Sequence, residues 1–485
     1  MKPIIERPDK TESGRIKASP SARWALASLS LSMLMPSLDT SIANVGLPTL
    51  AEAFGASFQQ VQWIVLAYLL AITTLIVSVG RLGDMVGRRR LLLTGIALFT
   101  LASLFCGIAP TLWLLIAARA LQGLGAAMMM ALTVAMVGET VPKERTGGAM
   151  GLLGTMSAIG TTLGPSLGGV LIAWFGWETI FLVNVPLGIA NFLLAARFLP
   201  ADRQDRKAAQ GRPDAIGTLL LALTLAAYAL SMTLGHGSFG AVNIGLLLVA
   251  AFGIALFAFI ETKVKTPLLR LGMFRESSLS AGLAMSTLVS TVMMATLVVG
   301  PFYLSLALGF DAAHVGAVMS AGPLVSALTG VPAGRIVDRI GAHRMIMTGL
   351  IGMIAGLSLI AALQGQFGAA GYIGPLVIIT ANYALFQAAN NTTIMTNIRP
   401  DQRGVISGML SLSRNLGLIT GASVMGAVFA LASGATDITT ARPEAIAAAM
   451  QITFAIAALL IVAALVIAVA GLAVAKRAAL SEEVS

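Results

Sequence analysis

Asp39 and Arg119 are opposite charges set inside long apolar runs, at residues 24–46 and 112–137. An acid and a base in such surroundings could bind and release a proton. At about 1.5 Å per helical residue, Asp39 lies roughly 23 Å beyond Arg23, and Arg119 lies roughly 10 Å inside the far end of its run. Their depths agree, so the two could meet. Burial disfavours an ionised carboxylate and a neighbouring cation favours it, so an Asp39 with alternating exposure could load a proton at one face and release it at the other. The competing reading makes Asp39 a structural hydrogen bonder to Thr40 or Ser41, and Arg119 its fixed partner. Arg414 is a second intramembrane cation, near the midplane beside Ser411, Ser413 and Asn415, with no matching acid in the spans of the second half. Two arginines against one aspartate disfavour multiply charged cations as ligands and suit anionic, neutral or singly charged lipophilic ones. Alternatively, Arg414 only caps carbonyls.

A polar stripe at three- and four-residue spacing, Tyr383, Gln387, Asn390, Asn391 and Ile394, predicts a helical face that avoids lipid. With Tyr68, Gln122, Asn184 and Arg414 it could line a central cavity, where Phe386, Trp63, Met128, Met129, Met293 and Met294 add adaptable apolar surface. Methionines also simply fill gaps. Gly160, Gly164 and Gly168 stand four apart and predict a helix face that another backbone can approach, with Pro165 removing one helical hydrogen bond and Gly169 beside it. That pattern reads either as a hinge or leak-preventing contact between two halves, or as generic small-residue packing. Gly80, Arg81, Gly83, Asp84, Gly87 and Arg88 predict a tight turn whose carboxylate could cap a helix or pair with an arginine, making a latch for one conformation. The plainer reading is basic anchoring beside a membrane.

The elements that must hold these residues are apolar runs of about 20 residues, long enough to cross about 30 Å of hydrocarbon. Six lie near 24–46, 61–80, 91–109, 112–137, 148–173 and 179–199, and two near 215–235 and 241–261. Six more lie near 279–306, 312–333, 345–363, 371–396, 404–432 and 447–474. Of the 31 Lys and Arg residues, all but Arg119, Arg414 and Arg442 then fall on one side, which predicts cytosolic termini. The expected organisation is a cytosolic tail 1–23, a six-helix bundle 24–199, a linker 200–276 holding two inserted helices, a second six-helix bundle 277–475 and a tail 476–485. A composition of 57% hydrophobic and 11% charged residues with 51 glycines agrees with an all-α polytopic membrane protein. The net charge of +10 is scattered over the inside segments, so it speaks for topology and against nucleic acid. A single cysteine, Cys106, excludes an internal disulfide framework and a CxxC metal site.

The two sets of six are related. Gly80-Arg81-Leu82-Gly83-Asp84-Met85-Val86-Gly87-Arg88 recurs from Gly334 through Asp338 to Gly341, and Gly151, Gly160, Gly164 and Gly169 recur as Gly408, Gly417, Gly421 and Gly426. The duplicated halves and the segment following the second span resemble the major facilitator superfamily over essentially the whole chain after the tail. Leu38-Asp39-Thr40-Ser41-Ile42-Ala43-Asn44-Val45-Gly46-Leu47-Pro48 is similar to the first-helix signature of its fourteen-span drug:proton antiporters, with Ala43 and Gly46 as mild departures. Arg119-Ala120-Leu121-Gln122-Gly123 resembles the fourth-helix motif, and Gly160 to Gly169 the fifth-helix antiport motif. The resemblance implies a major facilitator fold with 14 transmembrane helices (6 + 2 + 6) in the inner (cytoplasmic) membrane. It also implies export of small lipophilic compounds in exchange for protons, with Asp39 and Arg119 coupling them and Gly80 to Arg88, Gly160 to Gly169 and Asp338 gating. No cofactor beyond the proton gradient is expected, and the expected partners are the lipid bilayer, protons and the substrate. The chain is expected to act as a monomer, with an envelope accessory protein left open. A dedicated exporter of one lipid-like or secondary metabolite needs the same residues. A proton symporter and a non-transporting sensor fit less well, and the three histidines and the absence of a catalytic motif argue against an enzyme.

Overall fold

In the computed structural model, the described residues are 20–141, 146–202, 215–234, 240–264, 272, 276–363, 367–396, 403–435 and 438–483. Among them no strand occurs. The helices of the first half are Pro20–Phe54 (α1), Phe58–Val86 (α2), Arg88–Gly107 (α3), Leu112–Thr140 (α4), Thr146–Phe175 (α5), and the short Thr179–Leu182 (α6) continued by Asn184–Phe198 (α7). Ala215–Thr233 (α8) and Ala241–Lys263 (α9) follow. The second half holds Ser277–Phe302 (α10), Ala312–Ile340 (α11), Ala342–Ala362 (α12), Gly368–Thr396 (α13), Arg403–Thr420 (α14), Gly426–Ala432 (α15) and Pro443–Glu483 (α16). Hydrocarbon leaves the backbone nothing to bond with outside its own segment, which is why helices are nearly the whole architecture.

Thirteen helices among the described residues are long and apolar enough to cross a membrane, one fewer than the fourteen runs in the sequence. The helix outside that set is α1, which has 35 residues but carries Ser28, Ser32, Ser37, Asp39 and Ser41. Its polar groups are matched by other helices. Ser28 Oγ donates to Asn191 Oδ1 at 2.8 Å, and Asn191 Nδ2 donates to Ser32 Oγ at 2.9 Å. Ser37 Oγ meets Ser157 Oγ at 2.7 Å. Ser41 Oγ donates to the Thr161 carbonyl at 2.8 Å, the group that Pro165, having no N–H, leaves without its helical donor. Thus α1 is polar because it is wrapped by α5, α7, α4 and α10.

Local signals set the helix ends. Ser57 and Gln60 cap α2 reciprocally, with Ser57 N donating to Gln60 Oε1 at 2.9 Å and Gln60 N to Ser57 Oγ at 3.4 Å. The expected turn from Gly80 to Arg90 is shorter than its sequence suggests: α2 runs to Val86 and only Gly87, at φ +112°, breaks the helix. The copy behaves alike, with α11 reaching Ile340 and Gly341 breaking at φ +98°. One glycine in a conformation closed to other residues suffices for the reversal, so the remaining glycines stay helical and serve packing.

Gly160 and Gly164 of α5, and their counterparts Gly417 and Gly421, meet the first helix of their own half. A Cβ on Gly160 would lie 2.6 Å from the Leu34 carbonyl oxygen of α1, and one on Gly417 would lie 2.6 Å from Ser290 Cβ of α10. The halves differ past that point, because α14 passes through a π turn at Gly421–Met425 while α5 stays α-helical around Pro165. Between the halves, α8 touches both: Trp63 Nε1 of α2 donates to Thr233 at 3.0 Å, Ser78 meets Thr218 at 2.7 Å, and Tyr228 donates to Thr420 of α14 at 3.2 Å. The α9 helix packs mainly on α8.

Candidate functional site

Four elements converge on Asp39. It stands three residues past Pro36 in α1, and Arg119 and Gln122 project from one face of α4 at i, i+3 spacing. Asn184 opens α7, and Tyr68 comes from α2. All five side chains are buried, with none of their surface exposed. Arg119 Nη1 donates to Asp39 Oδ2 in an ion pair. Gln122 Nε2 and Asn184 Nδ2 each donate to Asp39 Oδ1 at 2.8 Å. Gln122 is itself held from two sides, since its Nε2 donates to Ser103 Oγ at 2.8 Å and its Oε1 accepts from Arg119 Nη1 at 2.6 Å.

The guanidinium is placed as tightly. Arg119 Nε donates to the Ile64 carbonyl at 3.1 Å, and its Cζ lies 4.2 Å above the Tyr68 ring and 5.6 Å from Phe181. Tyr68 Oη reaches the Pro36 carbonyl at 3.2 Å. Among the described residues, Arg119 Nη2 and Asn184 Oδ1 make no hydrogen bond. The carboxylate therefore has three donors and one counter-charge, all away from water. Protonating Asp39 would leave a buried guanidinium without its partner, so proton uptake and separation of the pair must go together.

The other expected site residues separate. Tyr68, Gln122 and Asn184 belong to this closed cluster rather than to a cavity wall. Phe386 is buried against α12, where a Cβ on Gly349 would meet its Cβ at 3.1 Å, and Asn390 donates to the Gly282 carbonyl of α10 at 3.1 Å. Both are buried and neither lines an open space. Gln387 is half-buried, and Asn391 and Arg414 are exposed. Two residues missed in the sequence reading carry weight here. Ser103 anchors Gln122, and Glu261 is a second buried carboxylate inside an apolar span, 3% exposed near the end of α9.

The glycine motif divides its work. Gly160, Gly164 and Gly168 face α1 within one half. Gly169 and the Pro165 carbonyl reach the other half, where a Cβ on Gly169 would lie 3.1 Å from the Gly316 Cα of α11. Thr162 Oγ1 also donates across to the Pro323 carbonyl at 3.0 Å. At the same end of the bundle, Phe58 is edge-on to Phe302 at 4.7 Å and to Phe429 at 5.7 Å, and Gln62 Nε2 donates to Ala422 O in the π turn at 2.9 Å. The opposite end has the reverse character. Gly154 of α5 and Gly330 and Gly334 of α11 have space around them, and Leu324, Leu328, Arg335, Asp338 and Arg339 are exposed. The contacts between the halves described above gather at the Phe58 end, and these glycines at the Arg88 end meet no neighbouring helix.

The side chains of Gly80, Arg81 and Asp84 lie outside the described residues. The rest of that motif binds within its own half: a Cβ on Gly83 would lie 2.6 Å from Leu132 of α4, and Arg88 pairs with Glu139 at 2.8 Å in a part-exposed contact of small net worth. Asp202 caps α3 by accepting from Arg89 N at 2.8 Å and Arg90 N at 3.2 Å. A Cβ on Gly87 would sit 2.6 Å from the Asp202 carboxyl carbon. Gly87→Ala is therefore expected to destabilise the protein by at least ~1–3 kcal/mol, since the backbone is strained and the cap is displaced. Thermal unfolding in detergent micelles measures this, and an unchanged midpoint would remove the structural role given to Gly87.

The Major Facilitator Superfamily model matches residues 29–422 and again 279–481. The chain is 32% identical to the uncharacterized transporter YebQ of Escherichia coli (strain K12) over 408 residues, covering 84% of this chain and 89% of that protein. It is 31% identical to the multidrug resistance protein Stp of Mycobacterium tuberculosis (strain ATCC 25618 / H37Rv), covering 85% and 76%. It is 30% identical to the riboflavin transporter RibZ of Clostridioides difficile (strain 630), covering 84% and 88%. A solved bacterial homolog of the human lysosomal transporter Spinster, in an inward-facing and unoccupied conformation, superposes with a TM-score of 0.67 at 14% identity, covering 93% of this chain and 97% of that one.

Proposed function

Because the chain belongs to the Major Facilitator Superfamily, we propose that it is a secondary transporter that exports small lipophilic compounds in exchange for protons. In this reading α1 is the fourteenth span and the protein lies in the inner membrane. The Arg88 end, where the basic residues gather, faces the cytosol with both termini. The cavity is then open to the cytosol and shut at the outer face by Phe58, Phe302, Phe429 and the Gly169–Gly316 approach.

The observation that carries the proposal is the sealed Asp39–Arg119 pair with its Gln122 and Asn184 donors. A carboxylate enclosed on every side exchanges no proton until the bundle moves, and a proton arriving on it releases Arg119 from its charge. Each event requires the other, which is what coupling means for a transporter working by alternating access. A potential of about 150 mV supplies roughly 3.5 kcal/mol per proton, enough for a few-hundred-fold substrate gradient. The relative named for multidrug resistance supports a drug as substrate. A second reading, dedicated transport of one metabolite, is favoured by the equally similar relative named as a riboflavin transporter.

The test uses proteoliposomes with an imposed proton gradient and lipophilic cationic, anionic and neutral dyes. Wild-type protein should accumulate at least one dye, and Asp39→Asn should lose about 100-fold or more of the gradient-driven rate while eluting as a folded monodisperse protein. Full transport by Asp39→Asn would overturn the proton-carrier role.

A further inference from the structure

Arg414 sits eleven residues into α14, about 16 Å from its start. It is exposed, and no hydrogen bond or ion pair holds it among the described residues. The residue before it fixes which way it turns. Ser413 Oγ donates to the Leu283 carbonyl of α10 at 2.5 Å and meets Thr287 Oγ1 at 2.9 Å. Arg414, about 100° further round the helix, is turned away from that contact. On its own face stand Leu410 and Leu418 at i±4, both half-buried. An unpaired guanidinium at such depth is tolerated beside water and excluded from hydrocarbon, so its exposure belongs to the space open at the Arg88 end. Among the described acids, Glu139 and Asp338 stand exposed at that end, and none pairs with Arg414. Asp39 and Glu261 are buried, and Glu52, Glu139, Glu178, Asp202, Glu276, Asp311, Asp338 and Glu444 lie at helix ends or between helices.

We propose that Arg414 anchors the acidic group, a carboxylate, sulfonate or phosphate, of an amphipathic organic anion whose apolar part lies against Leu410 and Leu418. A guanidinium fork with no protein partner matches a planar or tetrahedral oxyanion by two parallel hydrogen bonds. The transport reading supplies only the direction in which such a ligand moves, and binding is tested separately.

Two probes share one skeleton and differ by the acid: 8-anilino-1-naphthalenesulfonate and N-phenyl-1-naphthylamine. With the full chain in phosphatidylcholine nanodiscs, fluorescence titration against empty discs should show the sulfonate bound at least tenfold more tightly than the amine. Arg414→Gln should erase that preference and Arg414→Lys should keep part of it, while amine binding stays unchanged and certifies the fold. In the unmutated protein, phenylglyoxal modification of Arg414, followed by peptide mass spectrometry, should be slowed tenfold or more by the sulfonate and not by the amine. Absence of the preference in wild type, its survival in Arg414→Gln, or no protection from phenylglyoxal overturns the site. So does loss of the preference when one fifth of the lipid is phosphatidylglycerol, which would make a lipid headgroup the occupant. Sulfonate binding that depends on Arg414 without gradient-driven movement overturns the exporter reading and leaves the site standing. Gradient-driven movement of the amine with no sulfonate preference does the reverse.

Discussion

Asp39→Asn is expected to destabilise the protein by ~3–5 kcal/mol, Arg119→Met by clearly less, and the double variant by less than Asp39→Asn alone. The order follows from what each change leaves behind. Removing the carboxylate charge strands a guanidinium at zero exposure, and breaking a buried pair from one side costs about 3–5 kcal/mol. Arg119 has no relief, because a guanidinium does not give up its proton in a protein. Asp39 does have relief: without Arg119 the carboxyl can protonate, and Gln122 and Asn184 remain as hydrogen-bond donors. With both charges gone, Asn in place of Asp39 still accepts from those amides, and Met replaces the arginine stem against Tyr68 with similar volume. Replacing a whole buried pair by such groups is often neutral or favourable. Thermal and denaturant unfolding of the three variants in one detergent forms a double-mutant cycle. Simple additivity of the two single losses would show that the charges do not depend on each other, and the coupling argument would fall with it. Transport should be absent in all three, including the double variant whose stability recovers, which separates loss of function from loss of fold.

How far the sequence carried the site depended on the kind of question asked of it. Depth was legible, since a fixed rise per residue brings Asp39 and Arg119 to one level and an isolated charge in an apolar run stands out. Direction around the helix was not. On α1 and α13 polar residues occur on several faces, so Asn390, Gln387 and Asn391, one stripe by spacing, end up bonded to α10, half-buried and exposed respectively. Gln122 and Asn184 read as cavity wall because nothing in spacing tells a ligand-facing amide from one that serves a neighbouring carboxylate. The partnership of Ser41 with the carbonyl freed by Pro165 joins residues 120 positions apart. It was foreseeable only as a need, because a proline inside a membrane helix must leave an acceptor that something else satisfies. The duplicated glycines predicted a repeated turn, and both Gly87 and Gly341 make one, but the pattern gave no hint that a single residue would do it. The seat of α8 against both α2 and α14 had no local signal at all, being fixed by contacts between residues far apart in the chain.

Gly316→Ile is expected to force the shut end of the bundle open and to reduce transport by at least about tenfold. A Cβ at position 316 would lie 3.0 Å from the Gly169 Cα and 3.2 Å from the Gly169 N. Both are backbone atoms of α5, so no rotamer change gives way and the two helices must part. Overpacking of this kind costs about 1–3 kcal/mol, and here the cost falls only on the state in which α5 and α11 touch. An equilibrium between two conformations then shifts by roughly 5- to 150-fold against the shut state. Phe58, Phe302 and Phe429 sit at that end, so separation of α5 from α11 should also loosen their edge-on stacking. Spin labels on F175C and D311C, at the exposed ends of α5 and before α11, should report a longer and broader distance in Gly316→Ile than with Gly316 retained, with Cys106 replaced by serine in both. A distance distribution that stays put while transport collapses would mean that the close approach of Gly169 and Gly316 serves packing alone, and the shut end would have to be assigned to the aromatic contacts instead.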